Sequence, residues 1–189
     1  LVNKYPTNEG KIAVMEAIDG QLITNKLWLT PCLDGDTLKA NPATDILKMV
    51  VYNRYYPAAP AMAFIKNFGF KKGAIASTVA HDSHNIIAVG VSDTDIVNAI
   101  NLLIEEKGGI SCVHQNQTKV MGLPVAGLMS REDPYKVAAN YTELDVMAKS
   151  LGSSLCSPFM TLSFMALLVI PHLKLSDKGL FDGDTFKLF

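Results

Sequence analysis

The chain has 189 residues, of which 49% are hydrophobic and 19% charged, with a formal net charge of −1. That length suits one domain, or a compact domain with an appended piece, and the apolar content suffices for a substantial core, which argues against disorder. Near-neutral charge, without a basic run or an acidic tail, leaves no electrostatic footprint for nucleic acid.

The sequence opens Leu1-Val2-Asn3, with no initiator Met and no signal peptide, as a processed product or a fragment would. Ile12 to Ile18 and Leu22 to Leu29 read as strands joined by a hairpin turn at Asp19-Gly20. Pro31 to Pro42 is a turn-rich link. From Asp45 to Tyr55, Ile46, Met49, Val50 and Asn53 follow helical spacing, and Pro57 and Pro60 stop the helix so predicted. Ala61 to Phe68 reads as a strand, followed by Gly69 and a Lys71-Lys72-Gly73 turn. Gly73 to Ala80 and Ile86 to Val91 are short, apolar and rich in branched residues, as buried strands are.

Ser92 caps a helix predicted over Asp93 to Lys107, with Asp95 favouring its positive end. Ile96, Ile100, Leu103 and Ile104 make its apolar face, and Gly108-Gly109 ends it. Ile110 to Val113 resumes as a strand. Leu123 to Ser130 reads as a strand end passing into a glycine-containing loop. Asp133 caps a second helix with Pro134 in its first turn, and Val137, Tyr141, Leu144, Ala148 and Leu151 form one stripe. The apolar segment Phe159 to Ile170 stops at Pro171, too short to span a bilayer and suited to a buried element. The expected fold is therefore α/β, a mixed sheet with flanking helices. Residues 1–40 are expected to form a β-rich segment and 41–189 an α/β domain.

Cys32, Cys112 and Cys156 are widely separated and lack C-x-x-C spacing, so they read as reduced residues of a cytoplasmic protein, not zinc ligands. Gly-x-Gly-x-x-Gly, the phosphate-binding loop, the Gly-x-Ser-x-Gly elbow and the cytidine-type deaminase signature are all missing from the sequence.

The most informative run is His81-Asp82-Ser83-His84-Asn85, five polar residues between two apolar strands. A loop on a rigid sheet is where binding and catalytic groups sit, and imidazole and carboxylate are acid–base and metal-ligand groups. In an extended segment His81, Ser83 and Asn85 would share one face, with Asp82 and His84 on the other; in a tight turn His81 and His84 would converge. A polar turn whose Asp and Asn bond local backbone is the competing reading.

The segment Lys72 to Gly90, containing this run, resembles the C-terminal region of the prokaryotic adenine deaminases, members of the amidohydrolase superfamily. The likeness continues in the same order through Asp45-Ile46-Leu47-Lys48, Asn53-Arg54-Tyr55, Pro124 to Ser130, Ser157 to Phe164 and Leu173 to Leu180. Leu168 stands where the family usually has Pro, His172 where it has Glu, and Arg131 where an acidic residue is common. The resemblance implies a parent enzyme that hydrolyses adenine to hypoxanthine and ammonia through a metal-activated water, with Mn or Fe held on a (β/α)₈ barrel. This chain has no His-x-His pair and falls short of a typical barrel of about 250 residues. It is accordingly expected to be the C-terminal domain of an amidohydrolase-type enzyme without the barrel, residues 1–40 belonging to a small β-sandwich of the parent. No metal is expected in this chain alone.

Because so many polar groups between two apolar strands are costly unless they find partners, His81, Asp82 and His84 are taken as catalytic candidates completing the parent active site, and Ser83 and Asn85 as substrate-binding candidates. The partners implied are adenine and the N-terminal barrel portion, with no nucleic acid and no membrane. A homo-oligomer is expected, burying an apolar face with Trp28 or the Phe64 to Phe70 aromatics. The alternative is a self-standing purine-binding module, or one subunit of a split deaminase.

Overall fold

A computed structural model describes residues 5–189; Leu1 to Lys4, including the opening Leu1-Val2-Asn3, lie outside the described residues. The strands are β1 (Thr7–Asn8), β2 (Lys11–Ala17), β3 (Thr24–Leu29), β4 (Cys32–Asp34), β5 (Thr37–Lys39), β6 (Ile46–Tyr52), β7 (Ala61–Lys66), β8 (Ala74–Ser77) and β9 (Ile86–Gly90). Helix α1 (Asp93–Glu105) follows, then β10 (Gly109–His114), β11 (Gln117–Gly122), α2 (Pro134–Ser150), α3 (Pro158–Phe164), β12 (Leu173–Ser176), β13 (Gly179–Asp182) and β14 (Lys187–Leu188).

Among the described residues, nine strands form one sheet in the order β1-β2-β7-β6-β9-β8-β10-β11, with β3 on the other side of β2. Every pairing in it is antiparallel except β2 with β7, which runs parallel through Val14↔Phe64, Met15↔Ile65 and Glu16↔Lys66. Strands β1 to β3, before residue 41, and β6 to β11, after it, are thus hydrogen-bonded into the same sheet, while β4–β5 and β12–β13–β14 form two smaller sheets.

Side chains alternate across each strand. Leu47, Met49 and Val51 of β6 join one core cluster with Ile75, Ile87, Val89 and Leu144. Val50 joins a second, with Ala76, Ala88, Ile96 and Leu103, and Ile46 a third with Leu38 and Phe64. Helices α2 and α3 and the β12–β13 hairpin cover the first face, while α1 and the β4–β5 hairpin cover the second. Both faces of the central strands are consequently dry.

That double burial corrects the helix expected over Asp45 to Tyr55, which is strand β6. A strand buried on both sides carries a continuous apolar run, in which i, i+3, i+4 spacing is satisfied by default. The Phe64 to Phe70 aromatics are also placed differently from the expectation: Phe64, Phe68 and Phe70 are 3%, 0% and 0% exposed, in the chain's own core. The helix caps match the sequence. Ser92 accepts from Asp95 N–H, and Asp133 accepts from Tyr135 and Lys136 N–H.

The β12–β13 hairpin is tied to the other end of the chain. Thr24 Oγ1 donates to Leu173 O at 2.8 Å, and Lys26 Nζ meets Asp182 Oδ2 at 3.0 Å. Lys174, fully buried, donates from Nζ to Leu22 O at 2.6 Å and to Phe164 O at 3.0 Å, so it caps the C-terminal end of α3.

Candidate functional site

Strands β8 and β9 pair as Ser77↔Ile87 and Ala76↔Ala88 at the centre of the sheet, and the 78–85 loop joins them. A polar loop is therefore carried by the two most enclosed strands. The loop turns tightly: His84 N–H donates to Ala80 O at 2.8 Å, and His84 adopts a positive φ of 52°. Of the two arrangements open in the sequence, the structure takes the turn, and the His81 and His84 rings stand 5.5 Å apart, edge to face.

His81 is stacked on Phe164 of α3, with centroids 4.9 Å apart and planes at 18°. Its N–H donates to Ser163 O at 3.0 Å. Asp82 and Ser83 are exposed. Asn85 is 3% exposed and internally engaged: Oδ1 accepts from Arg54 N–H at 3.3 Å, and Nδ2 donates to Ser83 Oγ at 3.3 Å. His84 is half-buried, and its Nδ1 is buried without a hydrogen-bond partner among the described residues. Burial holds the His84 imidazole below its ordinary pKa, reinforced by neighbouring His81 and Arg54; Asp82 and the Thr78 backbone pull the other way. These surroundings favour the neutral ring.

Arg54, two residues beyond β6, is the staple of the cluster. Its Nε donates to His84 O at 2.6 Å and an Nη to Ala126 O at 2.5 Å, while the guanidinium lies 5.0 Å from the centroid of the Tyr55 ring. Tyr55 Oη donates to Ser83 O at 2.7 Å. Three loops are thus joined by one planar cation. Gly127 makes the fit possible, since a Cβ there would lie 2.3 Å from Arg54 Nη1 and its φ is +75°. Behind it, Thr78 Oγ1 donates to Gly127 O at 2.5 Å and accepts from Gly109 N–H at 2.8 Å.

Sequence reasoning assigned no role to Arg54, Tyr55, Thr78 or Phe164. Besides the place of Asn53-Arg54-Tyr55 in the family resemblance, a signal for the first two was Asn53-Arg54-Tyr55-Tyr56, a polar and aromatic break closing an apolar strand. The helical reading of that strand concealed it.

Two hollows flank the loop. One, of about 450 Å³, is lined by Tyr52, Arg54, Tyr55, Tyr56, Thr78 and Lys107. The other, of about 250 Å³, is an apolar groove among Val79, Tyr141, Phe159, Met160 and Ser163. Cys32, Cys112 and Cys156 are free thiols, and burial pushes the Cys112 thiol up to about 12. Among the described residues no group of three His, Cys, Asp or Glu side chains converges to hold a metal ion, so the residues present do not fit the Mn or Fe that the resemblance implies. No helix of the described residues is long and apolar enough to cross a membrane.

The arrangement offers two imidazoles, one of them short of a partner, an exposed carboxylate beside them, and a rigid cationic brace. Such groups can accept, donate or relay a proton to a small polar molecule that arrives at the loop.

Residues 21–187 match the family model described as the adenine deaminase C-terminal domain. The chain is 54% identical to the adenine deaminase of Methanosarcina barkeri, with 94% of this chain and 32% of the relative covered. It is 53% identical to that of a Sulfurovum species, covering 92% and 31%, and 46% identical to that of Borreliella afzelii, covering 97% and 34%. The chain thus spans about a third of the length of the curated relatives it matches.

Proposed function

The chain belongs to the adenine deaminase C-terminal domain family, and from that we propose that it serves a larger enzyme that hydrolyses adenine to hypoxanthine and ammonia, with the 81–85 loop facing the reacting purine. In that reaction water adds its oxygen to C6 of the ring, the C6–amine bond breaks, and protons reach the departing nitrogen. The Mn or Fe implied by the resemblance would be held by the part of the relatives that this chain does not span.

The observation that supports this reading is His84 Nδ1. A buried polar atom without a partner costs free energy that a purely structural loop would avoid. A bound water would satisfy it, as would a purine ring nitrogen or the exocyclic amine once the loop shifts to uncover it. His81, held flat on Phe164, and exposed Asp82 complete a set able to exchange protons with the purine. Asn85 and Ser83, bonded to one another, shape the loop beneath them.

In an enzyme that carries this domain together with the rest of the relatives' length, His84→Ala is expected to lower turnover of adenine by roughly 10²-fold or more, with unchanged metal content and circular dichroism. His81→Ala should act in the same direction. Ammonia release at the unaltered rate in both variants would refute the assignment of the loop.

A further inference from the structure

We propose that the α1 face of the sheet is the docking surface for the stretch of polypeptide that precedes this domain in a longer chain; the inference rests on the reading of the chain as one part of a larger deaminase. Three hollows on that face connect. The one beside Arg54 shares Tyr52 and Ile104 with a second of about 370 Å³ between α1 and strands β6 and β7. The second shares Lys48, Met62 and Asp93 with a third of about 300 Å³ under the β4–β5 hairpin. Together they make one trough running from Arg54 and Tyr55, which hold the 81–85 loop, to the hairpin.

Its floor is apolar because alternation along β6 and β7 turns Val50, Tyr52, Met62 and Phe64 to this side. Helix α1 covers β8, β9 and β10 and stops short of β7. Met62, Val97 and Ile104 remain 43%, 52% and 49% exposed along the trough. On the opposite face the same strands are closed over by the β12–β13 hairpin. Lys48 and Asp93 pair with each other across the trough, so an apolar partner would meet no bare charge there. An apolar strip of this kind is an interaction surface, since folded monomers seldom leave one to water.

The occupant follows from two observations. The relatives are about three times as long as this chain, and the matched region is the C-terminal domain, so most of the remaining length lies ahead of it. The first described residue, Tyr5, lines the hairpin end of the trough, where its Oη accepts from Phe64 N–H at 3.0 Å and donates to Ala13 O at 2.9 Å. A body tethered ahead of the described residues would be held at high effective concentration near this end of the domain. A body seated along the trough reaches Tyr52, Arg54 and Tyr55 at the other end, the last two bonded to the backbone of the 81–85 loop.

The test compares hydroxyl-radical footprints of the 189-residue chain and of the polypeptide read from the upstream start codon of the same gene. Met62 is expected to be oxidised about fivefold or more slowly in the longer polypeptide, as burial at an interface requires. Val97→Asp should restore its oxidation there, whereas Val146→Asp, on α2, should not; both are expected to leave the melting temperature of the short chain unchanged. Equal Met62 oxidation in the two polypeptides, or a reading frame with nothing ahead of Leu1, would overturn the proposal. So would protection of Met62 in the short chain that grows with its concentration, which would assign the trough to a second copy. The footprint needs no turnover, so protected Met62 with a fully active His84→Ala enzyme would remove only the role of the loop.

Discussion

Without its guanidinium, Arg54 would leave the His84 and Ala126 carbonyls without their donor and release three loops from one another. Arg54→Ala is expected to cost about 1–3 kcal/mol in urea denaturation, and Arg54→Lys most of that, because an ammonium cannot bridge the two carbonyls in a fixed plane. Gly127→Ala should cost about as much, since it places a methyl against the same guanidinium at a positive φ. Equal stability of Gly127→Ala and the parent would show that the loops are not so fixed. Lys174 carries a pH signature. Burial pushes its amine down to about 8 from 10.5, and a neutral amine has two N–H bonds for the two carbonyls it meets. Between those values the unfolded chain holds more protons, so the Lys174 contribution to stability rises with pH from about 8 and is flat below it. From about pH 9 the buried Cys112 thiol, raised to about 12, acts in reverse, because the unfolded chain loses that proton first. The Lys174 signal is therefore the difference between the parent and Lys174→Met, and that difference should change steadily from pH 8 to 10 in denaturant titrations. A constant difference would contradict a depressed amine.

At the level of elements, helices α1 and α2 were legible because their ends carry local chemistry, whereas α3, whose Ser157 makes no side-chain cap bond, read only as a buried apolar segment. Asp133 accepts from two first-turn N–H groups of α2, and Asp133→Ala is expected to lower the urea midpoint by the equivalent of about 1 kcal/mol with an unchanged slope. Strand β6 was not legible. Its Ile46-Leu47-Lys48-Met49-Val50-Val51 run feeds both sides of the sheet, so the period of two that marks a half-exposed strand is missing. Strands β8 and β9 were legible in spite of the same double burial, because glycines and the polar loop bound them tightly. The loop itself stood out by contrast with its flanks. Its brace did not, since Arg54 meets partners 30 and 72 residues away, a relation fixed by sheet order and not by any local pattern.

Taken whole, the molecule is one mixed sheet whose two faces are covered unequally, and that inequality came only with the structure, because the parallel junction of β2 and β7 has no counterpart in the periodicity of either strand. The rims of the sheet tell the rest. At one, β11 carries Gln117, Thr118 and Lys119 toward solvent, with Lys119 paired to Glu143. At the other, the backbone of Thr24 on β3 is already engaged by Pro171 and His172. Charged or occupied margins discourage a foreign strand from lengthening a ladder. Growth of this fold into any larger body is therefore steered away from backbone zippering and toward lateral fitting of side chains.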